Sequence, residues 1–183
     1  MTGDWLGGLA SQAPTDPAQF TDWLDEALGR PMLIVALRRG GPSMNGGDDP
    51  LAGWRAQLGA YPGVRLLVQE VGDAPDAEAL ARIAQLGPDV LLVCEDANSA
   101  DGAATSGAWR AAILDVAEGL NLFERMLLAW YGAGVTRAMA RKSGYEDGFA
   151  PDQPLVDALA ILAREAIGRE TYRRHGSSPP CYL

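Results

Sequence analysis

The fold of this chain is indicated most clearly by one stretch, RMLLAWYGAGVT at residues 125–136. Its apolar run, 126–131, is typical of a strand buried on both faces of a sheet. The run ends in Gly-Ala-Gly at 132–134, and a short amphipathic segment at 135–142 precedes GYEDGF at 144–149. This order predicts a strand, a glycine turn, a helix and another strand. Glycines let a ligand approach the backbone closely, and ligands of open α/β sheets bind at the carboxyl ends of strands.

The rest of the chain continues the alternation of strands and helices. Apolar or alternating runs bounded by turn residues predict five strands in all, at 32–37, 64–71, 89–94, 126–131 and 144–149. Caps and helical periodicity predict helices at 16–29, 51–60, 76–86, 109–120 and 135–142, and a last helix that runs from a cap at 152–154 to about 174.

Right-handed crossovers turn such an alternation into an open parallel sheet. We therefore expect one α/β domain with a doubly wound five-stranded parallel sheet, in the flavodoxin-like order 2-1-3-4-5 and with a leading N-terminal helix. The predicted division is an N-terminal segment and helix at 1–30, the α/β domain at 31–175 and a C-terminal tail at 176–183.

Composition narrows the classes of partner. The 183 residues are 48% apolar and carry a net charge of −9, which argues against nucleic acid and anionic membranes as partners. No signal peptide and no apolar run near ~20 residues is visible. Two cysteines, Cys94 and Cys181, do not suggest a disulfide framework, so we expect a cytoplasmic protein. The single histidine, His175, lies at a basic helix end, where positive charge interacts favourably with the helix dipole. We therefore favour this structural role for His175 over a catalytic one.

The glycine-rich segment 38–50 is the first candidate for a phosphate site, but it lacks the spacing of known nucleotide loops. Its acidic residues Asp48 and Asp49 would repel phosphate, which favours a surface loop. The layout around Ser43 superficially resembles SGNH esterases, yet the region 151–154 lacks the histidine that such a hydrolase needs beside its aspartate. A hydrolase that uses Ser43 therefore stays a distant alternative.

Other residues after strand three are weaker candidates. Glu95, Asp96 and Asp101 form an acidic group that could bind Mg²⁺. A receiver domain would also need a lysine after strand five, which is absent, so a solvated acidic loop is favoured. Cys94 ends an apolar strand and is expected to be a buried structural thiol.

The segments LDVAEGL (114–120), ERMLL (124–128), GAG (132–134) and ARKSGYEDGF (140–149) together resemble the end of a cobalamin-binding domain. The most similar type is the β subunit of the adenosylcobalamin-dependent aminomutases that act on lysine and ornithine. EALA (78–81) and PDVLLVC (88–94) are similar to the helix two and strand three of that family. The resemblance covers roughly 32–165.

The resemblance also implies a site, with one departure. The family carries Asp-x-His-x-x-Gly after strand one, where the histidine is the lower ligand of cobalt. A gapless placement puts Gly41 at the aspartate, Ser43 at the histidine and Gly46 at the glycine, and the family serine after strand three falls on Cys94. The implied cofactor-binding residues are Gly41, Ser43, Gly46, Cys94, Ser99, Gly132, Gly134 and Phe149. No metal ligand and no catalytic residue is implied.

The resemblance implies a small or accessory subunit of an aminomutase system that binds or services cobalamin without a protein histidine. The chain lacks the barrel and the pyridoxal phosphate lysine of a complete mutase, so enzyme activity of its own stays open. The implied partner is an aminomutase subunit or another protein, and self-association is also open. The alternative is a protein-docking module of the same fold that has lost cobalamin. Trp109, Trp130 and Tyr131 could line a corrin, but aromatics near a sheet are more often core.

Overall fold

Five parallel strands form one sheet in the order β2-β1-β3-β4-β5. The computed structural model describes residues 13–40, 49–95 and 102–176 of the chain. The strands are β1 (Met32–Arg39), β2 (Val64–Val71), β3 (Val90–Cys94), β4 (Leu127–Tyr131) and β5 (Asp147–Phe149). Both the fold class and the strand order predicted from the sequence are confirmed.

Helices connect the strands and end where the sequence provides caps. They are α1 (Pro17–Leu28), α2 (Ala52–Leu58), α3 (Ala77–Gln85), α4 (Gly102–Gly119), α5 (Arg137–Lys142) and α6 (Leu155–His175). The Asp16 carboxylate accepts hydrogen bonds from the first-turn amides of α1, and Gly29 ends that helix at φ 68°. Asp76 and Thr136 cap α3 and α5 in the same way as Asp16 caps α1.

The helices cover both faces of the sheet. On the first face, α1, α2 and α6 bury Phe20, Leu24, Trp54 and the apolar side of α6 against alternate strand residues. On the second face, α3, α4 and α5 bury Leu80 and Ile113, among others, against the intervening strand residues. Burial on both faces explains why the inner strands are continuous apolar runs, as is usual in parallel sheets.

One predicted boundary was wrong, and one short element was not predicted. The polar loop predicted at 95–106 is shorter, because α4 already begins at Gly102 rather than at Trp109. Alanines at 103–104 are good helix formers, and the small polar residues around them hid this signal. A 3₁₀ turn at Leu122–Glu124 precedes β4 and was not predicted. The last helix begins directly after the 152–154 segment, as expected, with Pro154 at its N-cap and no side-chain hydrogen bond there.

Candidate functional site

Three of the predicted site residues lie side by side at the carboxyl edge of the sheet. Cys94 is the last residue of β3 and pairs with Tyr131 of β4. Phe149 ends β5 and pairs with the same tyrosine, and its carbonyl accepts a hydrogen bond of 3.1 Å from the Gly132 amide. The structure therefore brings Cys94, Gly132 and Phe149 together at this edge. Gly134 follows two residues later in the same turn.

The side chains of Cys94 and Phe149 point into the first face and are buried there. Tyr131 lies between them in the same core, and its hydroxyl donates a 2.8 Å hydrogen bond to the Pro50 carbonyl. Trp54 packs edge-on against both Tyr131 and Phe149. Burial raises the pKa of Tyr131, with smaller contributions from Cys94 and Asp49. This side of the edge is therefore a packed aromatic core.

The two glycines of the turn serve different purposes. Gly134 has φ +70° and open space where a Cβ would stand, so its role is backbone conformation. At Gly132, a Cβ would come within 3.2 Å of Val135 Cγ2 and of Glu95 Cβ. The sequence suggested that these glycines admit a ligand, whereas in this structure the space above Gly132 is filled by the chain itself.

A polar cluster on the second face was not predicted. The Glu95 Oε2 atom accepts hydrogen bonds from Trp130 Nε1 at 3.2 Å and from Arg110 Nη1 at 3.3 Å. The Arg110 guanidinium lies over the Trp130 ring, with Cζ 3.6 Å from the ring centroid. Tyr145 donates a 2.9 Å hydrogen bond to the Arg110 carbonyl, and its burial raises its pKa. Arg110 lies within the helix predicted at 109–120, but no local pattern connected it with Glu95 or Trp130.

A second ion-pair group lies at the end of β1, on the first face. Asp49 accepts from Arg55 Nε at 3.2 Å and lies 3.5 Å from Arg38 Nη1. Its carboxylate also accepts a hydrogen bond from the Leu51 amide at 3.1 Å. Asp49 was predicted to repel phosphate, and in the structure its charge is balanced by two arginines.

The other predicted site residues lie outside the described residues. These are Gly41, Ser43, Gly46 and Ser99, together with Asp96 and Asp101 of the acidic group. Of that group only Glu95 is described. Within residues 13–40, 49–95 and 102–176, no cluster of three or more His, Cys, Asp or Glu side chains could hold a metal ion.

The single histidine lies at the opposite, amino edge of the sheet. His175 is the last residue of α6. Its neighbours Arg173 and Arg174 donate hydrogen bonds to the carbonyls of Arg125, before β4, and Leu28, before β1. As a consequence, the imidazole and the Gly132 turn lie at opposite ends of the strands, and His175 cannot serve a site at the carboxyl edge of its own chain.

The described surface also has two open clefts, and neither coincides with the predicted edge. One of about 370 Å³ lies beside β5, between Arg137, Arg141 and Glu165. The other, of about 460 Å³, lies beside β2, between Arg55, Leu58 and Leu67. None of the described helices combines the length and the hydropathy that crossing a membrane requires.

With this geometry in place, the fold can be compared with known proteins. Its class is that of flavodoxin-like α/β domains, a class of fold in which ligands bind at the carboxyl ends of the strands. One solved structure with this fold is the 1.5 Å crystal structure of a novel cobalamin-binding protein from Desulfitobacterium hafniense DCB-2. The TM-score is 0.55 at 15% identity, over 81% of this chain and 65% of that one.

A curated relative narrows the comparison. Over 160 residues, or 84% of this chain, the sequence is 26% identical to the lysine 5,6-aminomutase β subunit of Fusobacterium nucleatum subsp. nucleatum. The chain spans 59% of the length of that relative. No protein-family model matches the chain. The resemblance to a cobalamin-binding domain of the aminomutase β-subunit type, drawn above from the residues, is thus confirmed by the comparisons.

Proposed function

We propose that this chain is a small or accessory subunit of an adenosylcobalamin-dependent aminomutase system. In this proposal it binds or services cobalamin without a protein histidine as ligand of cobalt. Two similarities support the proposal: the curated relative is the β subunit of an aminomutase, and the solved structure with the same fold is described as a cobalamin-binding protein. The proposal includes a cytoplasmic location, which agrees with Cys94 being a buried thiol that is not in a disulfide.

The position of His175 supports the part of the proposal that excludes a histidine of this chain as a ligand of cobalt. The chain has one histidine, and it ends α6 at the amino edge, away from the Gly132 turn. The Cys94 thiol is buried in the first-face core and donates a 3.6 Å hydrogen bond to the Leu92 carbonyl. The described residues of the carboxyl edge therefore do not fit cobalt as protein ligands, and any cobalamin must keep its own lower ligand or receive one from a partner.

The proposed contacts are the residues that the sequence singled out. We assign the described part of the edge to Cys94, Gly132, Gly134 and Phe149, and the remainder to Gly41, Ser43, Gly46 and Ser99. Because the Cys94 and Phe149 side chains are buried, they contribute the floor of the site rather than its surface. The glycines contribute backbone groups, which have no Cβ in front of them.

One observation favours a second candidate, a protein-docking module without cobalamin. The Glu95 side chain packs directly over Gly132 and pairs with Arg110 and Trp130. A chain that never binds a ligand at this edge would gain from closing it in this way. A partner protein would then be the only object of recognition.

Equilibrium dialysis with adenosylcobalamin, with the absorbance of the corrin measuring how much the protein retains, separates the two candidates. We expect saturable binding at tens of micromolar or below for the wild type. The same affinity is expected for His175→Gln, because His175 lies at the amino edge. No cobalamin retained by the protein at those concentrations would remove cofactor handling and leave the docking module.

Electron paramagnetic resonance identifies the nitrogen atom that is bound to cobalt. Cob(II)alamin bound to uniformly ¹⁵N-labelled protein gives a ¹⁵N doublet if a protein nitrogen lies on cobalt, and a ¹⁴N triplet if the cofactor keeps its own base. We expect no ¹⁵N doublet for this chain alone, since its one imidazole is at the wrong edge. A ¹⁵N doublet that disappears in His175→Gln would contradict the proposal. Co-expression with candidate aminomutase subunits, followed by size exclusion, tests the partner separately.

A further inference from the structure

The Glu95 cluster at the carboxyl edge resembles a binding site that one of the chain's own side chains occupies. Glu95 directly follows β3, and one of its oxygens, Oε2, accepts from both the Trp130 indole and the Arg110 guanidinium. The two donors come from β4 and α4, so their spacing is fixed by the fold and not by a flexible loop. Two convergent donors of this kind are what an oxyanion ligand requires.

Packing holds the donors in place. Arg110 lies flat on the Trp130 ring at 3.6 Å, and the Tyr145 hydroxyl fixes the backbone of α4 at the Arg110 carbonyl. The Arg110 side chain is only 14% exposed. An arginine stacked and held in this way loses little conformational freedom when it binds an anion.

The Glu95 carboxylate satisfies this donor set incompletely. The Arg110 Nε atom is buried, and among the described residues it has no hydrogen-bond partner. A carboxylate offers two oxygens, whereas a phosphate ester offers more and in a tetrahedral arrangement. Buried donors without acceptors are uncommon in folded proteins and call for an explanation. A phosphate group in place of the carboxylate would offer the Arg110 and Trp130 donors more acceptor oxygens than the single Glu95 Oε2 atom that they share.

Gly132 provides the room for such an exchange. The Cβ that Gly132 lacks would stand 3.3 Å from Glu95 Oε2. The Glu95 side chain is 21% exposed, so the carboxylate lies where a ligand from solvent can reach it. The volume that it vacates lies next to the Gly132 backbone, Arg110 and Trp130 together.

From these contacts we infer that Arg110 and Trp130 form a phosphate-binding site, and that Glu95 competes for it from within the chain. A ligand that carries a phosphate ester enters by displacing the Glu95 carboxylate from the two donors. Glu95 thereby sets a threshold: weak anions are excluded, and only a ligand with further contacts along the edge replaces it. The inferred phosphate site does not depend on the proposed function, because the proposed function states that the complete ligand is cobalamin.

The test is a titration with inorganic phosphate, observed at the indole N–H signal of Trp130 by ¹H–¹⁵N NMR. The signal is assigned by its loss in Trp130→Phe. We expect Glu95→Gln and Glu95→Ala to shift this signal at phosphate concentrations at least tenfold lower than the wild type requires. Arg110→Gln in the Glu95→Gln background should abolish the shift.

The matched control is Glu118→Gln, which makes the same change of net charge on an exposed position of α4. It should alter the phosphate affinity less than threefold. Equal gains in Glu118→Gln and Glu95→Gln would show a general charge effect and overturn the inference. So would a Trp130 signal that phosphate does not move in any variant.

A parallel titration with adenosylcobalamin, whose nucleotide tail carries a phosphodiester, keeps the two proposals distinguishable. Phosphate binding that Glu95→Gln improves, without binding of adenosylcobalamin, supports the phosphate site and removes the cofactor. Cobalamin binding that the Glu95 variants leave unchanged, together with no phosphate effect, overturns the phosphate site and leaves the proposed function in place.

Discussion

Replacement of Asp89 by asparagine is expected to be the most destabilising single change of charge at the amino edge. The Asp89 side chain is 1% exposed and accepts a bidentate pair from Arg30, at 2.7 and 2.8 Å. It also accepts from the Leu33 amide at 2.9 Å, and the Asp89 carbonyl accepts from the Leu127 amide. One residue thus connects the starts of β1, β3 and β4.

The magnitude follows from the exposure of the two partners. Breaking a buried ion pair costs about 3–5 kcal/mol, because the remaining charge stays desolvated. Arg30 is 38% exposed and recovers part of its hydration, which places Asp89→Asn near the lower end, at about 3 kcal/mol. The hydrogen bond with Asp89 raises the pKa of Arg30. Because the pKa of Arg30 is raised further above its already high ordinary value, the arginine stays charged, and the effect should be unchanged from neutral pH to pH 10.

Urea unfolding followed by circular dichroism measures the loss. With a urea m-value of about 2 kcal/mol/M, the midpoint should fall by about 1.5 M. The matched control is Glu78→Gln, which breaks an ion pair with Arg82 that is 82% and 64% exposed and should cost no more than about 0.5 kcal/mol. If Asp89→Asn and Glu78→Gln differ by less than about 1 kcal/mol, the reasoning from burial is refuted.

Further predictions concern the glycines and the buried tyrosines. Gly148→Ala should destabilise the fold by about 1–3 kcal/mol in urea unfolding, since its Cβ would stand 2.6 Å from Ala140 Cβ and 2.9 Å from a backbone oxygen. Gly53→Ala, in α2 with open space around it, should stabilise by about 0.5–1 kcal/mol, and the opposite order would contradict the packing. Tyr131 and Tyr145 should resist ionisation in absorbance titration at 295 nm, and the free energy of unfolding should fall as pH rises above 10, because burial raises both pKa values. Early ionisation of either tyrosine, detected as a difference from the Phe variant, would refute this.

Much of the fold could be predicted because each local signal agreed with the next. The capping aspartates Asp16 and Asp76, the apolar runs of β3 and β4, and the glycines of the turn all pointed to one alternation of strands and helices. Parallel topology then left few arrangements open. Boundaries were less accurate where small residues carry no periodicity, as at the start of α4.

The contacts at the candidate site could not be predicted in the same way. Glu95 was read from its sequence neighbours Asp96 and Asp101, as part of an acidic loop. Two of its hydrogen-bonding partners, Arg110 and Trp130, are 15 and 35 positions away and belong to different elements. Such pairings depend on how α4 crosses the sheet, which no local pattern specifies. A glycine likewise indicates that something approaches closely, but not whether that object is a ligand or a side chain of the same protein.

The carboxyl edge is therefore balanced by its own charges on both faces. On the first face, Arg38 at the end of β1 lies 3.5 Å from Asp49, and on the second face Glu95 after β3 pairs with Arg110. An anionic ligand that reaches this edge must exchange one of these internal ion pairs for its own contacts, instead of adding contacts to a vacant surface. Exchange makes affinity depend on the difference between two similar interactions, and partly exposed pairs are weakened by salt. Selectivity at this edge would consequently come from contacts of the ligand that the carboxylates of Asp49 and Glu95 do not make.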